Sequence, residues 1–172
     1  MESECLYMGI NNTGYAGGFG ANVVNVIKSL IESPCLHLFS GTSKIGDIRV
    51  DIERPEATIN CDVFDFIKDN KQHWKWCVLD PPYKIENAHS DLKQYGDWTC
   101  VTASVPKRRA LEEFFIKYCD NVLWLDLASP KPQGFVRKKV WTFIPSSYQH
   151  IRALTWLKRS ADKLEDYYDN QA

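Results

Sequence analysis

No apolar run in the 172-residue sequence approaches the ~20 residues that a helix needs to cross a bilayer, so no membrane-spanning helix is expected. The chain opens on Glu2 and Glu4 rather than on a basic stretch followed by an apolar one, which predicts no secretory leader. Six cysteines stand at 5, 35, 61, 77, 100 and 119, none in a Cys-x-x-Cys pair and none at zinc-site spacing. They read as reduced thiols, several of them buried, in a protein that holds no metal and works inside the cell, in the cytoplasm. Strong charge is also missing, because Lys and Arg (21) nearly balance Asp and Glu (22). Global charge therefore gives no case for nucleic-acid binding. Neither phosphate-binding glycine loop is present: there is no Gly-x-Gly-x-x-Gly, and no Lys-Ser/Thr follows Gly46. Internal repeats and low-complexity tracts are absent, and the length suits a single domain over residues 1–172.

What is there is a succession of short apolar runs. Residues 11–20 are rich in Asn and Gly and read as a loop. From Ala21 to Ser33 the apolar positions 23, 24, 26, 27, 30 and 31 have helical spacing, and Pro34 closes the run. The loop and this helix form an N-terminal segment, 1–34. Strands are expected at 35–39, 48–52, more weakly at 58–61, and at 75–80, 121–127, 139–144 and 151–157. Helices are expected at 63–70 and 107–119. Continuously apolar strands alternating with helices predict an α/β sheet covered on both faces. The last two strands, joined by Ser146-Ser147-Tyr148-Gln149, predict an antiparallel hairpin. Charge is uneven along the chain. Residues 1–104 carry 9 basic and 14 acidic side chains, and residues 105–172 carry 12 and 8. Lys107-Arg108-Arg109, Arg137-Lys138-Lys139 and Lys158-Arg159 are solvated surface unless they converge on one face, where they would hold phosphates.

In an open α/β sheet, ligands bind beyond the carboxyl ends of the strands. Following each strand in turn are Ser40-Gly41-Thr42, Asp51-Ile52-Glu53, Cys61-Asp62-Val63, Asp80-Pro81-Pro82-Tyr83 and Ala128-Ser129-Pro130. A small-residue loop lets backbone approach a ligand. A carboxylate after the second strand accepts from both hydroxyls of a ribose, and Asp62 accepts from an adenine amino group. Each residue also has an ordinary reading: Gly41 as a tight turn, the acids as helix caps. Asp80-Pro81-Pro82-Tyr83 is the most specific signal. Two prolines fix the backbone and remove two donors, so a carboxylate, a carbonyl and a ring share one short corner. An exocyclic amine donates two N–H bonds. Accepting them at Asp80 and at the Pro81 carbonyl localises the nitrogen lone pair, while Tyr83 offers a face on which a base stacks.

These motifs, in this order over residues 35–158, resemble the S-adenosylmethionine-dependent amino-methyltransferases that carry Asp-Pro-Pro-Tyr, the N6-adenine and N4-cytosine DNA methyltransferase group. The resemblance implies a Rossmann-like methyltransferase fold: a seven-stranded, mostly parallel sheet with a C-terminal antiparallel hairpin. It implies S-adenosylmethionine as cofactor, held by Phe39, Ser40, Gly41, Thr42, Asp51, Ile52, Asp62 and Val63, and catalysis at Asp80, Pro81, Pro82 and Tyr83. The reaction implied is methyl transfer to an exocyclic amino group of a nucleic-acid base, adenine N6 in DNA before RNA. The alternatives are an RNA base, a protein side-chain amide, or a partner-dependent subunit that keeps the fold without turnover. Two departures stand out. Only four residues separate Gly46 from Asp51, so the helix the family places there is missing or reduced to a turn, and the N-terminal helix must cover that face. The chain has no room for a recognition domain. Target choice then falls to the 84–98 and 128–138 loops, to a partner subunit or to a homodimer. The polar segment Lys84–Trp98 reads as a lid over the target or as an ordinary connection.

Overall fold

The computed structural model describes residues 1–12, 18–82, 104–145 and 150–160. Strands β1 (Glu2–Tyr7), β2 (Cys35–Leu38), β3 (Ile48–Asp51), β4 (Ile59–Asn60), β5 (Trp74–Leu79), β6 (Cys119–Asp126), β7 (Phe135–Ile144) and β8 (Arg152–Arg159) are interleaved with three described helices. These are α1 (Ala21–Leu30), α2 (Val63–Asp69) and α3 (Val105–Tyr118). All eight strands join one sheet in the order β1-β7-β8-β6-β5-β2-β3-β4. Among its neighbours, β8 is antiparallel to both β6 and β7, and the remaining pairs are parallel.

This corrects the expected seven-stranded, mostly parallel Rossmann-like architecture. The sheet is mixed, it has eight strands, and strand dominates over helix. Two physical reasons account for the difference. The polar segment Glu-Ser-Glu-Cys-Leu-Tyr has no alternating apolar pattern, yet it forms β1, an edge strand paired along its whole length with β7. Its Glu4 carboxylate meets Lys139 at 2.8 Å, and that ammonium also lies over the Trp141 ring. Second, β2 and β3 are joined by a turn instead of a helix. Asp47 ties the turn back: its carboxylate accepts from the Cys35 amide at 2.8 Å and from the Ser33 hydroxyl at 2.9 Å. Gly46 turns at φ +86°, where a Cβ would come within 3.2 Å of the Cys35 carbonyl. The antiparallel pairing of the last two strands is present, with β8 inserted between β6 and β7. The link 146–149 lies outside the described residues.

Alternation along the strands builds a core on each face. On one, Leu36, Leu38, Val122 and Trp124 pack beneath Leu111, Phe114 and Phe115 of α3 and Val63 and Ile67 of α2. On the other, Val78, Leu123, Leu125 and Trp141 meet Val23 and Ile27 of α1, with Ile45 from the β2–β3 turn beside them. The N-terminal helix thus covers the face that lacks a crossover helix. Full burial of each such side chain contributes about 1.5–3 kcal/mol.

His37 interrupts this core. It lies in β2, fully buried, stacked on Phe19 at 5.6 Å, with Nδ1–H donating to the Ile45 carbonyl at 3.2 Å. Its Nε2 has no hydrogen-bond partner among the described residues. Burial, opposed by the bond to Ile45, pushes the imidazole down from 6.5 to about 4. The folded state therefore binds this proton less tightly than the unfolded state. The stability linked to neutral His37 is complete above the unfolded value and is lost as pH falls from about 6.5 toward 4, by roughly 3 kcal/mol in all. Urea unfolding at pH 7.5 and 4.5 should show this loss in the wild type and a shallower one in His37→Gln. Equal losses in both proteins would remove His37 as the cause.

Candidate functional site at the carboxyl edge of the sheet

Parallel pairing of β2, β3, β4, β5 and β6 brings their carboxyl ends to one edge. Leu38 pairs with Leu79 and Leu79 with Trp124, so Phe39 and Asp80 leave the sheet side by side. Because β8 runs the other way, its first residue, Arg152, starts at this same edge.

After β2 the backbone turns sharply. Phe39 has φ +56° and Gly41 φ +53°. Positive φ in a bulky residue is strained, by about 1–3 kcal/mol, and persists only where surrounding contacts enforce it. Here the Phe39 ring packs edge-on against Phe64 at 6.2 Å, and the Ser40 amide donates to the Val50 carbonyl at 3.0 Å. The turn places the hydroxyls of Ser40 and Thr42 in buried positions with no hydrogen-bond partner among the described residues. Ser40 is 4% exposed. A buried hydroxyl left unpaired costs about 1–3 kcal/mol, so strain and unpaired polar atoms coincide on four residues.

Asp51 closes this loop from β3. Its Oδ2 accepts from the Gly41 amide at 2.9 Å, and its Oδ1 accepts from the amides of Glu53 and Arg54, each at 3.1 Å. Three of the carboxylate's roughly four acceptor positions are engaged by backbone. Asp51 is thus the post that holds the Phe39–Thr42 turn against β3, a role its position alone did not disclose. Ile52 beside it is 41% exposed, and Glu53, two residues on, is an exposed carboxylate at the same strand end.

Asp62 caps α2, accepting from the Phe64 amide at 2.6 Å through Oδ1. Its Oδ2 takes no hydrogen bond from the described residues. Val63 is buried behind it. The capping role that an acid in this position commonly has is therefore real.

No family model matches the chain, and no curated protein matches it.

After β5, Asp80 leads into Pro81, which is buried, and Pro82, which is exposed. Tyr83, the fourth residue of the motif, lies outside the described residues, as does the 84–98 segment. The Asp80 side chain is only 10% exposed, and its Oδ2 accepts from Arg152 Nη1 at 3.3 Å. Nothing in the sequence pattern singled out Arg152, because β8 reads as an alternating strand. Asp126 ends β6 at 2% exposure; its carboxylate accepts from Trp124 Nε1 at 3.1 Å and from the Leu127 amide at 2.6 Å. The loop after it is held firmly. Arg137 donates to the carbonyls of Ser129 and Pro130, and the Thr155 hydroxyl donates to Ser129 Oγ at 2.9 Å.

The structure therefore brings Phe39–Thr42, Asp51, Asp62 and Asp80–Pro82 to one edge and adds Arg152 to them. The basic clusters divide: Lys107–Arg109 opens α3, Lys107 lying over the Phe64 ring, whereas Lys158 and Arg159 end β8 at the opposite edge. The five described cysteines are free thiols. No described helix is long and apolar enough to cross a membrane.

If Asp51 is the post of the loop, Asp51→Ala strands three backbone donors and lowers stability by about 2–3 kcal/mol. Denaturant unfolding measures this. An unchanged midpoint would show that these bonds contribute nothing.

Proposed function

We propose that this chain is an S-adenosylmethionine-dependent methyltransferase acting on an exocyclic amino group of a nucleic-acid base, adenine N6 in DNA foremost. The observation that carries the reading is the Phe39–Thr42 turn: two buried hydroxyls, with no partner among the described residues, on a strained backbone, directly beside Asp80. Polar groups of that kind in a native protein call for a partner, a polar ligand or an ordered water, and here they lie beside the Asp-Pro-Pro corner. The resemblance carried by Asp80-Pro81-Pro82-Tyr83 supplies the ligand class.

The residues present fit a nucleoside. Ser40 and Thr42 offer hydroxyls, Gly41 allows close approach of backbone, and Ile52 offers an exposed apolar side chain. Glu53 is the carboxylate at the β3 end with capacity for two ribose hydroxyls, while Asp51 acts by holding the loop. Asp62 Oδ2 has the right chemistry for an adenine amino group. When bound, the cofactor supplies an electrophilic methyl group. The chain's own part is to orient the nucleophile: Asp80 and the Pro81 carbonyl would accept hydrogen bonds from the two amine N–H groups and thereby direct the nitrogen lone pair. A duplex substrate must release its base from the stack for this to happen. The loop braced by Arg137 and Thr155 is a rigid surface beside that corner, suited to contacting the target or a partner subunit.

A labelled-methyl transfer assay with duplex DNA, single-stranded DNA, RNA and protein pools tests the reading. Transfer to DNA is expected, and Asp80→Ala should reduce it by about 100- to 1,000-fold, the typical loss for a removed transition-state hydrogen-bond partner. Cofactor affinity measured by calorimetry should stay within about threefold of wild type. Transfer only to RNA or to protein would relocate the substrate. Full activity in Asp80→Ala would end the catalytic assignment of the corner.

A further inference from the structure

Arg152 was invisible to motif reading, yet it is the described cation in contact with the residue at the centre of the proposed chemistry. Resting on the methyltransferase reading, we infer that Arg152 is a positioning residue, which keeps the buried Asp80 carboxylate ionised and oriented as a hydrogen-bond acceptor.

Asp80 is 10% exposed and Arg152 17%. A carboxylate withdrawn from water without a countercharge tends to take up a proton. Protonated, it gains an O–H donor and loses acceptor capacity. An amine approaching with its own N–H groups needs the opposite: an acceptor of fixed direction. The guanidinium meets this need at Oδ2, at 3.3 Å. An ionised carboxylate has about four acceptor positions, so the pair and an incoming N–H are compatible.

Topology makes the placement robust. Asp80 is carried by the end of β5, and Arg152 by the start of β8, 72 residues away in sequence. The two strands are separated in the sheet by β6. On β8, Ala153 pairs with Asp126 and Leu154 with Leu125, which fixes the height of Arg152 just beyond the carboxyl edge. Asp126 is the anionic side chain at the carboxyl end of the intervening strand, where its carboxylate accepts from Trp124 Nε1 and the Leu127 amide. The neighbouring residues of β2, Phe39 and Ser40, bring no charge. A parallel strand in the place of β8 would present its first residue at the opposite edge, and Arg152 would not reach Asp80 from there.

Arg152→Gln, Arg152→Lys, Asp80→Asn and the double variant Asp80→Asn with Arg152→Gln separate this role from simple support of the fold. Each full-length protein is assayed with labelled S-adenosylmethionine and the nucleic-acid pool that the wild type methylates, and each is unfolded in urea. The expected pattern is a fall in kcat of about 100-fold in Arg152→Gln with KM changed less than about threefold, the signature of a contact needed in the transition state. Arg152→Lys should recover about tenfold of that loss, since it keeps charge but not the fork. In the Asp80→Asn background, Arg152→Gln should cost no further activity, and the unfolding free energies should be non-additive, because the two side chains are partners. Wild-type kcat in Arg152→Gln, a loss confined to KM, or additive effects with Asp80→Asn would overturn the role. If the wild type transfers methyl groups to no pool, the methyltransferase reading fails separately. A coupled pair in such a protein is then an ordinary structural ion pair, and the positioning role falls with it, while additivity in unfolding would show that no pair forms at all.

Discussion

Parallel pairing of β2 with β3 and β5, of β3 with β4, and of β5 with β6 is the constraint on which the rest of the molecule depends. Every strand in this group ends at the same edge, so whatever residues follow them become neighbours regardless of their separation in sequence. The register Leu38–Leu79–Trp124 sets Phe39 beside Asp80. The single reversed strand, β8, then delivers a residue from its beginning to an edge otherwise made of endings. One slip of register would exchange the buried and exposed sides of a strand and would remove Leu36 and Leu38 from beneath α2 and α3.

Several local costs meet at that edge, and others lie in the core away from it, where His37 Nε2, Trp74 Nε1 and Trp76 Nε1 are buried with no hydrogen-bond partner among the described residues. At the edge, Phe39 holds a strained backbone, Ser40 and Thr42 bury hydroxyls with no partner among the described residues, and Asp80 is a mostly buried carboxylate. Asp51 pins the strained turn by three backbone hydrogen bonds, and Arg152 lies against the buried carboxylate at 3.3 Å. Neither role requires contact with substrate. Both preserve the geometry and charge of groups suited to such contact.

Much of this was legible in the sequence, in identifiable places. The apolar runs at 35–39, 75–80 and 121–127 marked buried strands because nothing but a doubly covered sheet tolerates such continuity. Helical spacing located α1 and α3 to within a few residues, and the four-residue gap before Asp51 correctly forecast the missing crossover helix. The edge strand β1 was not legible, because Glu2, Ser3 and Glu4 carry no apolar alternation and the strand is held by pairing with β7 and by Lys139. That strand and the helix-poor connections are why the seven-stranded, mostly parallel expectation failed. At the site, strand ends identified Asp51, Asp62 and Asp80 by position, but position does not reveal partners. Asp51 and Asp62 both proved to bind backbone amides, and Arg152 lies on a strand whose alternation conveys burial and nothing about chemistry.

The central claim is that this edge binds the nucleoside part of S-adenosylmethionine. Hydrogen–deuterium exchange of the full chain with and without S-adenosylhomocysteine tests it most directly. The account predicts slowed exchange concentrated in peptides spanning 39–43, 51–54 and 62–66, around the turn pinned by Asp51 and the first turn of α2. Saturating ligand that leaves those peptides unchanged, or protects only β1 and α1, would contradict it.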